Sequence, residues 1–129
     1  MQRFYLTHGL HSFLKRITER TPSGLTVDGE FTKEQADTDS DGYPDLFTST
    51  VTTNGKTSTS QDDLLNGIAT STSPLGRTTT SYYDPETLLT IRDESPGVYD
   101  TVYGYDARGR ITSVTQNTRQ VTYAYNTQG

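Results

Sequence analysis

The chain contains no cysteine, no tryptophan, one methionine and two histidines in 129 residues. The missing cysteine excludes disulfides, thiolate zinc sites and a thiol nucleophile. His8 and His11 both lie near the N-terminus. Their i, i+3 spacing has no third metal ligand beside it, and no serine elbow is near them in sequence. Asp62, Asp63 and Glu94 make a poor acid pair, because adjacent strand residues point to opposite faces. No catalytic residue set emerges, so the expectation is a protein that is not an enzyme. Apolar residues make up only 29% of the chain, too few for a conventional core. No apolar run approaches the roughly 18–20 residues of a membrane helix, and the N-terminus lacks the apolar stretch of a secretory signal. The net charge is −5 with no basic cluster, which argues against a nucleic-acid partner.

What the chain does have is threonine, 25 residues of it, with 9 tyrosines and 11 glycines. Threonine is a β-branched strand former that tolerates solvent. The composition therefore points to an all-β chain of antiparallel hairpins. Phe47-Thr-Ser-Thr-Val-Thr-Thr53 meets Lys56-Thr-Ser-Thr-Ser60 across Asn54-Gly55, the favoured dipeptide of a two-residue type I′ turn. Ser60-Gln-Asp-Asp-Leu-Leu-Asn-Gly67 reads as a turn or single helical turn that Ser60 would cap. Residues 1–20 leave two readings open. Leu6, Leu10, Phe13, Leu14 and Ile17 fall at helical spacing, as in one short amphipathic helix, and Phe4–Leu6 would equally suit an edge strand.

A tyrosine motif recurs: Ser-Tyr-Tyr-Asp at 81–84, Tyr-Gly-Tyr-Asp at 103–106 and Tyr-Ala-Tyr-Asn at 123–126. Tyr83 to Tyr105 is 22 positions and Tyr105 to Tyr125 is 20. A period of this length marks a repeat architecture. Ile111–Thr115, a four-residue turn at 116–119 and Gln120–Tyr125 form a hairpin. In it Val121, Tyr123 and Tyr125 share one face, as Tyr103 and Tyr105 do a repeat earlier. In Asp106-Ala-Arg-Gly-Arg110 the Asp106 side chain accepts nearby backbone N–H groups, and Gly109 supplies positive φ. These residues read as scaffold. The sharper alternative makes the tyrosines and Arg110 a carbohydrate-binding ladder.

Pro74–Thr80, Tyr83–Thr90 and Tyr103–Thr115 resemble the YD repeats of bacterial Rhs proteins, which also occur in toxin-complex C components and teneurins. The resemblance covers residues 74–129, with a fainter similarity at Arg20-Thr-Pro-Ser-Gly-Leu25. The structural motif residues are Tyr83, Asp84, Tyr103, Tyr105, Asp106, Gly109, Arg110, Tyr123 and Tyr125. Three departures stand out. Ser81 occupies the first tyrosine position, Glu86-Thr-Leu-Leu89 replaces the Gly-Arg turn, and Asn126 replaces Asp. The resemblance implies a β-sheet strip that spirals into a shell around a toxic cargo, with about three units here. It also implies that the partners are the rest of a larger protein or its toxin, and that the location is secreted or at the cell surface. The toxin and its releasing protease would lie outside this chain. The expected organisation is an N-terminal segment (1–20), a hairpin region (21–73) and the repeats (74–129).

One constellation reads as a metal site. Asp37-Thr-Asp-Ser-Asp-Gly-Tyr-Pro-Asp45 places Asp37, Asp39 and Asp41 on alternate positions, with Gly42 at the sharp turn, the Tyr43 carbonyl next and Asp45 after it. Calcium takes several oxygen ligands from such loops. Thr48 stands where an EF-hand needs glutamate, and a strand follows instead of a helix. The expectation is a calcium loop between strands that pins the approach to Phe47. The alternative is an acidic turn kept in solvent. The corresponding whole-chain alternative is a secreted, calcium-stabilised β-module that holds carbohydrate.

Overall fold

The computed structural model describes residues 4–8 and 11–126, with side chains from Lys15 onward. Among the described residues every regular element is a strand. They are β1 (Phe4–His8), β2 (His11–Arg20), β3 (Thr26–Ala36), β4 (Leu46–Thr53), β5 (Lys56–Asp63), β6 (Ile68–Thr72), β7 (Thr78–Tyr83), β8 (Thr90–Ser95), β9 (Val98–Tyr105), β10 (Ile111–Gln116) and β11 (Arg119–Thr122). They form one sheet whose spatial order is the chain order, and each strand runs antiparallel to the next. Among the described residues no helix is long and apolar enough to cross a membrane.

The N-terminal helix is thus replaced by strands. Phe4–Leu6 does form an edge strand, and the segment after it pairs with β3 through Ile17↔Gly29 and Thr18↔Asp28. Helical spacing was present, but a ladder to a distant partner satisfies the same backbone groups and suits the β-branched Ile17 and Thr18. His8 and His11 are register partners at the end of the β1–β2 ladder.

The turns repeat more faithfully than the strands. In Thr21–Leu25, Ser73–Arg77 and Asp106–Arg110 the first N–H donates to the fifth carbonyl, and the glycine N–H returns to the first carbonyl. Gly24, Gly76 and Gly109 have φ of 88, 74 and 75°. The first side chain of each (Thr21, Ser73 and Asp106) accepts the fifth N–H at 3.1, 3.2 and 3.0 Å. The loop at 84–89 is one residue longer. It closes from Asp84 N–H to the Leu89 carbonyl at 3.0 Å and puts Leu88 at φ 58° where the others use glycine. A left-handed leucine costs about 1–2 kcal/mol, and Leu88 is 69% exposed, so little packing repays it. Leu88→Gly is expected to raise stability by about 0.5–1 kcal/mol, the left-handed gain less the entropy glycine adds to the unfolded chain; chemical denaturation measures it.

Asn54 (φ 50°) and Gly55 (φ 75°) make the expected two-residue turn between β4 and β5. The turn after β10 is tighter than the spacing suggested: Gln116 pairs with Arg119, leaving only Asn117 and Thr118 between. Ser60 caps nothing, since it lies inside β5; Asp63 instead accepts the Asn66 N–H at 2.9 Å.

The sheet has two chemically distinct faces, because register partners and alternate residues share a side. Ile17, Val27, Phe31, Phe47, Val51, Tyr83, Tyr103, Tyr105, Val114 and Val121 lie on one face. Thr32, Thr50, Thr52, Thr57, Thr59, Thr70, Thr72, Thr78 and Thr80 lie on the other. Threonines meet across strands there, with Thr52–Thr57 and Thr72–Thr78 hydroxyl pairs both at 2.9 Å. No apolar side chain among the described residues is buried. The nearest thing to a core is Gly29, covered by the Phe31 ring, and Gly67, covered by the backbone of Tyr83.

Candidate functional site

The Asp-rich loop joins β3 to β4. It is closed at its base by the Asp45 N–H donating to the Ala36 carbonyl at 3.0 Å. Two sharp reversals, at Ser40 (φ 64°) and Gly42 (φ 94°), fold it back on itself. Asp37 accepts the Ser40 and Gly42 N–H groups at 2.6 and 2.8 Å. Those bonds, the Gly42 N–H foremost, hold its carboxyl below the usual range. Asp45 accepts the Thr38 N–H and hydroxyl, at 3.1 and 2.9 Å. Carboxylate oxygens of Asp37, Asp39 and Asp45 lie within 4.8 Å of one another. Asp41 is not in that group; it turns back to accept the Tyr43 N–H at 2.8 Å. Tyr43 itself is 75% exposed. The loop therefore gathers three of the four aspartates that spacing proposed. Each still has lone pairs that could serve a hard cation.

The tyrosines of the repeat motif do something the sequence left unspecified. The Tyr105 hydroxyl donates to the Thr90 carbonyl at 2.7 Å, and the Tyr125 hydroxyl to the Ile111 carbonyl at 2.8 Å. Thr90 and Ile111 occupy equivalent places: each opens the strand after a turn and pairs with the preceding motif tyrosine, Tyr83 and Tyr105 respectively. Each is followed by a register shift in its ladder. Tyr83 reaches two strands across to Asp62 at 2.8 Å and the Asp63 carbonyl at 3.2 Å. Burial, then the Asp62 carboxylate, pushes its hydroxyl up to about 12. Tyr103 donates to Asp93 at 2.9 Å, and Ser81 donates to the other oxygen of the same carboxylate. The hydrogen bond to Asp93 is the main reason the Tyr103 hydroxyl is also raised.

The Asp–Arg pair of the motif is tied in the same way, with the Arg110 Nη1 atom alone left without a hydrogen-bond partner. Asp106 accepts the Arg108 and Arg110 N–H groups and pairs with the Arg110 guanidinium at 2.8 Å. The Arg110 N–H is the first cause of its lowered pKa. Arg110 lies 4.2 Å from the centre of the Tyr125 ring, so it links the β9–β10 turn to the segment after β11. Asp84 accepts the Glu86 and Thr87 N–H groups at 2.8 and 2.9 Å. Tyr123 continues the ladder by one bond, its N–H donating to the Thr112 carbonyl at 2.9 Å, and its side chain is 47% exposed. Tyr82, on the threonine face, packs its ring 4.4 Å from the Arg92 guanidinium.

Asp62, Asp63 and Glu94 do not converge. Asp62 lies on the apolar face and serves Tyr83, while Asp63 and Glu94 lie on the threonine face and serve Asn66 and Tyr82. Sequence reasoning missed the Asp62 and Asp93 acceptors because a hydroxyl-to-carboxylate tie across strands depends on register, and local spacing carries no register. The alternating run Val27, Gly29, Phe31 against Asp28, Glu30, Thr32 was the readable signal of β3. No protein-family model matches the chain, and no curated protein matches it.

Proposed function

We propose that the chain is a non-catalytic structural segment of a larger YD-repeat protein of the Rhs kind, contributing antiparallel sheet to a shell that encloses or presents a toxin. It would act outside the cell or at its surface as part of that larger protein, with the rest of the protein and its cargo as partners. The observation that carries this reading is the motif tyrosine itself: Tyr83, Tyr103, Tyr105 and Tyr125 donate their hydroxyls to other strands of the sheet. Such tyrosines tie the sheet together, and their O–H donors are already used. If the turns are interchangeable repeat parts, Ser73→Asp, Pro74→Ala and Leu75→Arg together, which write the 106–110 turn into 73–77, should keep the fold. The thermal midpoint, followed by circular dichroism, is expected to be no lower than that of the parent chain. An unfolded chimera would defeat the repeat reading. Retention on a glycan array that is lost with Tyr82→Ala or Tyr123→Ala, at unchanged midpoint, would favour the carbohydrate module.

The convergence of Asp37, Asp39 and Asp45 supports a second element of the proposal, a calcium ion that pins the β3–β4 loop. Bound calcium would neutralise the three carboxylates and fix the loop that delivers Phe47 to β4. A ligand binding only the folded state adds RT ln(1 + [L]/Kd), about 2.7 kcal/mol at a hundred-fold excess over Kd. The midpoint is expected to rise in calcium over chelator, and Asp39→Ala to abolish the difference. A midpoint indifferent to calcium reduces the loop to a hydrogen-bonded acidic turn.

A further inference from the structure

We infer that the apolar face of the sheet is a self-association surface, on which a second copy of this chain packs face to face as the other half of a β-sandwich. This goes beyond the scaffold reading, since it concerns what the isolated chain does with a face that has no cover. A compact protein of 14.3 kDa exposes about 6,800 Å², whereas this chain exposes 9927 Å², a surplus of roughly 3,100 Å². A stable homodimer buries about 2,000–5,000 Å² in total, or about 1,000–2,500 Å² per copy. The surplus on each copy covers that range.

The two faces differ in which one a second copy would accept. The threonine face carries Asp28, Glu30, Glu34, Asp63 and Glu94 against Arg16, Arg20 and Arg92, with Arg16 paired to Asp28 and Arg92 to Glu94; it stays net acidic, so two such faces would repel each other. The apolar face interleaves Lys33, Lys56 and Arg119 with Glu19, Asp62 and Asp93, and two of the carboxylates already hold tyrosine hydroxyls. Charge therefore sets the threonine face outward and lets the apolar face meet its own image.

Shape agrees with charge. Across β5–β7 the apolar face is floored by small residues, among them Ser60, Ala69, Ser71 and Ser81, in a depression of about 470 Å³ bordered by Phe47. Bulky ridges flank it, Phe31, Phe47 and Val51 on one side and Tyr83, Tyr103 and Tyr105 on the other. A two-fold axis lying in the plane between the sheets would seat a ridge of each copy over the depression of its mate. Sheets so packed stand about 10 Å apart, and the interface is isologous, hence closed at two copies.

Sedimentation velocity on the full chain, over a concentration series, tests this. The expected species has twice the mass of the 14.3 kDa chain. Val51→Asp, which puts a charge on the apolar face, should weaken association about a hundred-fold or more, as should Val121→Asp. Thr50→Asp, one residue away on the other face, should leave it unchanged; with circular dichroism it also controls for unfolding by an added charge. A folded monomer at all concentrations overturns the proposal. So does a chain that is coil-like alone, or a polymer that survives Val51→Asp but dissolves with Thr122→Pro, since that polymer grows through the sheet edge.

Discussion

Gly67→Ala is expected to unfold the chain or to cost it about 3 kcal/mol or more. Gly67 has φ 64°, and a methyl group placed on it would lie 2.0 Å from the Tyr83 carbonyl oxygen and 3.1 Å from its carbonyl carbon. The left-handed conformation alone costs a non-glycine residue about 1–2 kcal/mol. The collision adds more, because the atom in the way is backbone, held by the Tyr83 N–H bond to the Gly67 carbonyl at 2.8 Å. Relief requires β6 and β7 to separate at the point where Tyr83 also anchors to Asp62. Gly55→Ala separates the two contributions: φ there is 75° and nothing lies within 4 Å of the added methyl, so only the conformational cost of about 1–2 kcal/mol should appear. Urea midpoints of the two variants, compared at equal m-value, give the difference. Equal losses would mean that the β6–β7 approach yields easily.

The chain should lose stability as pH rises from 10 to 12, and Tyr83→Phe should remove most of that alkaline step. Tyrosine ordinarily titrates near 10, and Tyr83 is pushed up to about 12 by burial and by Asp62. A folded-state value above the unfolded one means that the neutral phenol is favoured by folding. Its contribution is complete below the unfolded value and disappears as pH climbs through the folded one. Since the ring stays partly open to solvent, screening leaves about 1 kcal/mol of this effect. Tyr103, raised by Asp93, adds a smaller step of the same sign, which Tyr83→Phe leaves behind. A flat melting midpoint across this range in the parent chain would contradict the Tyr83–Asp62 tie. The acid limb runs the other way: Asp37, Asp63, Asp84 and Asp106 are all lowered by hydrogen bonds. What they contribute is present above the ordinary carboxylate value and is lost as pH falls through the folded ones.

Much of this fold was legible from local signals. Asn54-Gly55 announced its hairpin, the β-branched runs announced strands, and Asp106 and Gly109 announced their turn. Those features share a property: their physics acts within five residues of chain. The N-terminal strands were not legible in the same way, because Ile17 and Thr18 are held by Gly29 and Asp28. Their helical spacing was real but was outvoted by a partner further along. The Asp loop was readable as to which residues belong to it, but not as to which converge. Asp41 leaves the group for a backbone bond to Tyr43, an outcome decided by two positive-φ residues whose effect on direction spacing does not encode. The longer turn at 84–89 shows the converse: the sequence departs from the motif there, and the structure keeps the closure by bending a leucine into glycine's place.

The strictly sequential order of the sheet has a kinetic meaning. The most distant residues joined in any ladder are Gly29 and Thr53, 24 positions apart, so no strand waits for a remote partner before it can pair. Hairpins close in about 1–10 μs, and low sequence separation favours fast assembly. Each hairpin therefore offers a starting point, and growth proceeds outward like a zipper, one strand at a time. Loss of order runs the same route backwards, from β1 and β11 inward. Native-state amide exchange should accordingly be graded along the chain, slowest in β5–β7 and fastest at the two rims.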